Sequence, residues 1–266
     1  MTKTILITGA TDGIGLEAAK LLAEKGHNVL LHGRNPAKLN DAARVMDGAA
    51  SVETFEADFS RLKNVAALAA EVRDAHDRLD VLINNAGVFK VSDPIASNGL
   101  DLRFVVNTLA PWLLTQRLLP LMPPDGRVVN LSSAAQAPVD PDAMAGNRRL
   151  DDMAAYAQSK LALTAWTRVM AARQPRGPVF IAVNPGSMLA SKMVQQGFGV
   201  AGNDLSIGAE ILCRAALSEE FAARSGSYFD NDSGMFTSPH PDAVDARKAE
   251  VITTAIEEIL ARQLPD

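Results

Sequence analysis

The chain has 266 residues, 47% of them hydrophobic, and a formal net charge of −5. That length can bury one sizeable core, and the acidic balance lacks the basic footprint of a nucleic-acid binder. The one cysteine, Cys213, has no partner for an internal disulfide, and no apolar run approaches the ~20 residues of a membrane span. With no signal-peptide profile before the first apolar run at residue 4, a cytoplasmic protein without a membrane partner is expected.

In chain order, Thr4-Ile5-Leu6-Ile7-Thr8 reads as a buried strand. The glycine-rich turn Gly9-Ala10-Thr11-Asp12-Gly13-Ile14-Gly15 follows, and then a helical pattern over 13–25. Strand, glycine turn and helix N-terminus together form a pyrophosphate cradle, in which glycines admit the phosphates and the helix dipole holds their charge. Further strands are predicted at 28–33, 52–57, 80–85, 127–133, 178–184 and 226–230, and helices at 36–46, 60–77, 101–121, 151–173, 207–218 and 241–263. Such alternation predicts one α/β domain over 1–266 of Rossmann type, doubly wound, with a seven-stranded, mostly parallel sheet and helices on both faces. Ligands of such sheets bind beyond the carboxyl ends of the strands.

The run Ala155-Tyr156-Ala157-Gln158-Ser159-Lys160 lies in the helix predicted at 151–173. Tyr156 and Lys160 are four apart and so share one helix face. An ammonium beside a phenol favours the phenolate, so Lys160 is expected to draw the Tyr156 pKa down from its usual ~10. A tyrosine tuned in this way exchanges a proton at working pH, as carbonyl reduction or alcohol oxidation requires.

The spacing Thr-Gly-x-x-x-Gly-x-Gly at Thr8–Gly15, with Tyr-x-x-x-Lys downstream, resembles the short-chain dehydrogenase/reductase family. Asn84-Asn85-Ala86-Gly87 after a strand, Asn107 in Val106-Asn107-Thr108, and Ser133 at the end of the strand predicted at 127–133 match it as well. The resemblance runs from residue 3 to about residue 190, and more loosely beyond. It implies a nicotinamide oxidoreductase in which Tyr156 is the general acid/base, Ser133 holds the substrate oxygen, and Lys160 assists Tyr156 and binds the nicotinamide ribose. Asn107 supports a proton path to Lys160 in that reading; an amide that satisfies helix backbone is the alternative. It also places Gly9, Thr11, Asp12, Gly13, Ile14, Gly15, Asp58, Phe59, Asn85, Ala86, Gly87, Pro185 and Gly186 at the cofactor, together with Tyr156 and Lys160. For Asp58 a helix cap near Ser60 is the second reading.

Where an NAD enzyme carries an acidic side chain after the second strand, this chain has Gly33, Arg34 and Asn35. A guanidinium there suits a 2′-phosphate, so NADP(H) is expected over NAD(H). Asp12 pulls the other way, because many NADP-preferring relatives have a basic residue in the glycine turn. His32, at the same strand end, is read either as an adenosine contact or as a plain strand-end histidine. The four histidines show no metal-ligand spacing, so no metal is expected.

Two departures from the family pattern stand out. Ser133 and Tyr156 are 23 apart, where the commonest form has about a dozen, and the extra stretch at 137–149 reads as an inserted loop. Similar insertions occur in the branch that resembles retinol dehydrogenases and protochlorophyllide reductases. The loop either walls the substrate pocket or covers the helix face through which relatives dimerise, which leaves a dimer, a tetramer and a monomer all open. Second, Ala190 stands where relatives place a threonine against the carboxamide, with Ser187 or Ser191 as substitutes. A lid is expected around 187–205, where Met188, Leu189, Met193, Val194, Phe198 and Val200 point to a lipophilic or aromatic substrate. Ser133, Tyr156 and Met188 are the candidate substrate contacts, with Phe89 and Trp112 as further pocket or core aromatics. Reduction of an activated C=C bond, and cofactor sensing without chemistry, are the alternative functions.

Overall fold

The computed structural model describes residues 1–187, 189 and 202–264. Its strands are β1 (Thr4–Ile7), β2 (Asn28–Gly33), β3 (Ser51–Glu56), β4 (Val81–Asn84), β5 (Arg127–Leu131), β6 (Val179–Asn184), β7 (Ser227–Asp230) and β8 (Met235–Thr237). They form one eight-stranded sheet in the order β3-β2-β1-β4-β5-β6-β7-β8. All pairings are parallel except β7 with β8. The inner strands β4 and β5 are buried at every residue, which is why they read as unbroken apolar runs. The chain moves outward from β1 in both directions, so the crevice between the ends of β1 and β4 is the switch point of the sheet.

The helices are α1 (Gly13–Glu24), α2 (Pro36–Ala43), α3 (Leu62–Ala75), α4 (Leu102–Phe104), α5 (Ala110–Leu118), α6 (Pro141–Met144), α7 (Asp152–Arg173), α8 (Leu205–Leu217), α9 (Pro241–Val244) and α10 (Ala246–Gln263). One apolar layer packs α1, α2 and α8 on the sheet through residues such as Leu22, Leu39 and Leu212. The other packs α3, α5, α7 and α10 through Val72, Leu114, Trp166 and Ile256. Helix α7 is buried on nearly every side, because α10 lies over it and Glu250 and Glu257 pair with Arg173. No helix among the described residues is long and apolar enough to cross a membrane.

Eight strands replace the seven predicted. Gly234, at φ +69°, helps to reverse the chain after β7 into β8, whose Phe236 packs on Phe221 and Phe229 at 5.0 Å. With three residues and one partly buried side chain, β8 has no period to detect. The helix predicted at 101–121 is interrupted by a π-helical stretch, Val105–Leu109, and the one at 241–263 breaks at Asp245, which caps α10. The insertion at 137–149 is not a bare loop. It holds α6, whose Ala143 and Met144 are buried in the same layer as Leu100 and Phe104. Ala137 N donates to Ala157 O (3.3 Å), and Asp140 N donates to the Gln158 side chain (2.9 Å), so the insertion lies along the flank of α7.

Arg103 ties this region together. It is 1% exposed, donates to both carboxylate oxygens of Asp101 at 2.6 and 2.7 Å, and reaches Asp152 in the first turn of α7. Removing one partner of a buried ion pair leaves a charge without compensation. Arg103→Met is therefore expected to lower stability by about 3–5 kcal/mol in urea unfolding. A loss within ~1 kcal/mol, the range of an exposed pair, would contradict that reading.

Candidate active site

The glycine turn lies in the crevice between β1 and β4. Gly9 (φ +68°) and Gly13 (φ +57°) take left-handed conformations. A Cβ at Gly15 would stand 2.3 Å from Gly9 O and 2.4 Å from Asn85 Nδ2, so only hydrogen fits there. Asn85 Nδ2 donates to Thr8 O (2.8 Å) and Gly9 O (3.1 Å), and Thr8 Oγ1 accepts from the backbone N–H groups of Asn85 and Ala86 (both 3.0 Å). The Asn85 amide thus clamps the turn to the end of β4. Asp12 caps α1, its Oδ1 accepting from Gly13 N at 2.9 Å.

His32 braces the turn from the other side. Gly9 N donates to its Nδ1 (3.2 Å), which leaves Nε2 to donate to Ala57 O (3.0 Å). The ring is 3% exposed and stacks on Phe59 with centroids 4.1 Å apart, and burial pushes its pKa down to about 4. At the carboxyl end of β2 Arg34 is exposed, and Thr11 of the glycine turn packs so closely on Gly33 that a Cβ there would meet it at 2.5 Å. Asn35 caps α2 by accepting from Lys38 N (3.0 Å), and Asp58 accepts from Ser60 N (3.0 Å) in the turn before α3.

At the ends of β5 and β6, Ser133, Tyr156 and Lys160 come together. Asp151 caps α7, accepting from Ala154 N (2.8 Å), and the next turn of the helix presents Tyr156 and Lys160. Lys160, 3% exposed, donates to Leu131 O at 2.6 Å and lies over the Tyr156 ring, 5.7 Å from its centroid. The Ser133 side chain acts on the Tyr156 hydroxyl, and its Oγ accepts from Ala135 N (3.1 Å), whereas Ser132 turns away to Thr164 (2.6 Å). Gln136 Nε2 (2.9 Å) and Tyr228 Oη (3.2 Å) both donate to Ser133 O and hold its backbone. Asn107, in the π-helical stretch, brackets Val88 by accepting from its N (2.8 Å) and donating to its O (2.9 Å), and it also donates to Ser159 Oγ (3.0 Å). A Cβ on Gly87 would stand 3.4 Å from Asn107 Oδ1 and 3.6 Å from Lys160 Nζ, so Gly87 keeps that corner open.

Burial reverses one expectation. The Tyr156 pKa is pushed above its ordinary value because the phenolate would be poorly solvated, and the Ser133 bond only partly opposes this. Lys160 faces the Leu131 carbonyl rather than the phenol oxygen, and burial brings its own pKa down to about 8. Tyr156 is therefore a held proton rather than a ready phenolate.

Phe89 packs on Tyr156 (centroids 5.0 Å), whereas Trp112 packs edge-on against Trp166 in the core. Asn231 Nδ2 donates to Pro185 O (2.9 Å), and Gly186 has φ +117°. The Ser187 hydroxyl donates to Asp232 (2.5 Å), so it is already engaged where a carboxamide contact was expected. Met188, Ala190, Ser191, Met193, Val194, Phe198 and Val200, and with them most of the expected lid, lie outside the described residues. A cavity of about 290 Å³ beside Ser133 is lined by Gln136, Tyr228 and His240 among others. Among the described residues no His, Cys, Asp or Glu group is arranged to hold a metal ion. The motifs did not reveal Gln136 or Tyr228. Tyr228 is 95 residues from Ser133, and no local pattern announces that contact.

The family model for short-chain dehydrogenases matches residues 3–198. The chain is 31% identical to retinol dehydrogenase 13 of Homo sapiens, covering 99% of this chain and 86% of that protein. A solved protein from Mycobacterium paratuberculosis superposes with a TM-score of 0.82 at 30% identity, covering 97% of this chain and 92% of that one. Landomycin C-6 ketoreductase LanV, solved with bound NADP and rabelomycin, superposes with a TM-score of 0.69 at 27% identity, covering 87% and 95%.

The neutral His32 strut makes stability depend on pH. Unfolded histidine takes up a proton near pH 6.5, and folded His32 only near 4, so acidification between those values favours the unfolded chain. His32 is expected to contribute about 3 kcal/mol of acid destabilisation across that window. In urea titrations at stepped pH, His32→Gln should flatten that part of the curve. An unchanged slope would contradict the strut.

Proposed function

This chain belongs to the short-chain dehydrogenase family, and we propose that it transfers a hydride between NADP(H) and the carbonyl or secondary alcohol of a small lipophilic or aromatic substrate, with Tyr156 as general acid/base. The observation that carries the proposal is the cluster in which the half-buried Ser133 and Tyr156 meet the buried Lys160, whose ammonium lies over the Tyr156 ring. Similarity to the retinol dehydrogenase-like branch and to a ketoreductase supports the same chemistry.

The cradle fits a dinucleotide. Gly9 and Gly15 leave backbone where a side chain would intrude, and Gly13 takes a left-handed conformation, at the N-terminus of a twelve-residue helix. In our reading Gly9, Thr11, Asp12, Gly13, Ile14 and Gly15 hold the pyrophosphate, and Arg34, Asn35, Asp58 and Phe59 hold the adenosine end. Asn85, Ala86, Gly87, Tyr156, Lys160, Pro185 and Gly186 surround the nicotinamide riboside. The absence of a carboxylate after β2, the Arg34 side chain and the NADP bound by LanV favour NADP(H) over NAD(H).

When bound, the nicotinamide supplies or accepts the hydride. The chain's own residues manage the oxygen and the proton. Ser133 donates a hydrogen bond to the substrate oxygen as charge develops on it, from a backbone fixed by Gln136 and Tyr228. Tyr156 hands its proton to the substrate oxygen in reduction and takes it back in oxidation; its raised pKa keeps that proton on the resting side chain. The Lys160 charge stabilises the phenolate left behind. Asn107 holds the Val88 backbone and Ser159 beside the cluster and stands by the corner that Gly87 keeps open. Phe89 offers an apolar ring next to Tyr156, and we assign Met188 to the substrate as well.

Consumption of NADPH and NADH over ketones, aldehydes, quinones and enones tests the proposal. Wild type should turn over ketones with NADPH, and Tyr156→Phe should cut the rate by about 10²–10⁴-fold without changing stability. Full activity in that variant would contradict the assignment, and a saturated ketone from an enone would show C=C reduction instead. Because Lys160 loses its charge near pH 8, ketone reduction should fall as pH rises through that value. A rate still flat two units higher would contradict the role given to the ammonium.

A further inference from the structure

Helix α7 meets the end of β5 through polar side chains. Lys160, Thr164 and Thr167 are spaced i, i+4 and i+7, so they share the face turned to the strand. All three are at most 3% exposed, as are Asn130 and Ser132 opposite them. Two cross-links join helix to strand: Ser132 Oγ to Thr164 Oγ1 (2.6 Å) and Asn130 Nδ2 to Thr167 Oγ1 (2.8 Å).

The first cross-link belongs to a closed loop around Lys160. A hydroxyl has one proton to give, and Thr164 gives it to Lys160 O, one turn back (2.9 Å). Thr164 Oγ1 therefore accepts from Ser132, whose backbone N–H donates to Val183 O on β6 (2.8 Å). Lys160 returns to the strand through Nζ, which donates to Leu131 O (2.6 Å). The lysine is thus held at both ends from consecutive residues, its ammonium by Leu131 and its carbonyl, through Thr164, by Ser132. Ser133 is the next residue along. A threonine that bonds back to the carbonyl four residues earlier slightly weakens a helix, so helix stability does not account for Thr164.

The two cross-links differ in what else holds them. Asn130 pairs with Asn84 on one side and Ala182 on the other, so the sheet fixes its place. Ser132 lies past Leu131, the last paired residue of β5, and depends more on the helix. Resting on the roles proposed for Ser133, Tyr156 and Lys160, we infer that Ser132 and Thr164 are positioning residues that set the spacing between Ser133 and the Tyr156–Lys160 pair. The Asn130–Thr167 cross-link contributes to stability alone.

Two readouts test this: kinetics with NADPH and the ketone that wild type reduces fastest, and NMR of the protein without cofactor, its tyrosines labelled with ¹³C at Cζ. Thr164→Val and Ser132→Ala should each lower kcat and kcat/KM about tenfold with KM unchanged, as misplacement of reacting groups does. Both should also shift the Tyr156 resonance at neutral pH. Thr164→Ser, which keeps the hydroxyl, should restore rate and resonance. Thr167→Val should lower the thermal midpoint and leave both readouts at wild type. Ser132→Ala removes a single buried oxygen and keeps the test decisive if Thr164→Val does not fold. A wild-type kcat or an unmoved resonance in the Ser132 and Thr164 variants would overturn the inference alone, as would equal losses in Thr167→Val. Failure of wild type to reduce any carbonyl would overturn the functional reading, and the resonance would then decide the inference.

Discussion

A primary ammonium enclosed within the domain is the constraint on which the rest of the site depends. Lys160 is 3% exposed, it donates to the Leu131 carbonyl, and burial has brought its pKa down to about 8. An amine is held in such a place at a cost in solvation, and the surrounding structure supplies what offsets it. The carbonyl at the end of β5 points at it because the strand stops there, and α7 delivers the side chain from a helix enclosed by the sheet, α5 and α10. The same enclosure keeps the Tyr156 proton in place. Chemistry at this site thus follows from how deeply α7 is buried.

The cofactor side obeys a different constraint, close approach of backbone. Gly15 has no room for a Cβ, and the turn that contains it is held by side chains outside it: Asn85 and Thr8 from the β1–β4 side and His32 from β2. His32 performs this only as a neutral ring with one nitrogen accepting and the other donating. The switch point of the sheet is therefore more than a gap between strands. It is a backbone surface tensioned by three side chains.

Much of this was legible in the amino-acid sequence, for physical reasons. Strands buried on both faces show as apolar runs, and the tyrosine and lysine proposed as catalytic, being one helix turn apart, show as a local spacing. What escaped was non-local. β8 is short and mostly exposed, and the Tyr228–Ser133 contact spans 95 residues. The direction of the Tyr156 shift was misjudged because spacing gives proximity to Lys160 but neither burial nor the direction of the ammonium. The insertion at 137–149 has the composition of a loop, yet α6 and its buried Met144 make it part of the packed flank of α7.

The central claim is that burial makes Tyr156 a retained proton donor. The chain has two tyrosines, Tyr156 and Tyr228, and burial raises the pKa of both. With tyrosine labelled by ¹³C at Cζ, two resonances are followed by NMR as pH is raised, and Tyr156→Phe identifies one of them. The account predicts that the Tyr156 resonance does not shift below pH ~10, the unperturbed value for a phenol. A Tyr156 resonance that titrates near neutral pH would show a phenolate drawn out by Lys160, and would contradict it.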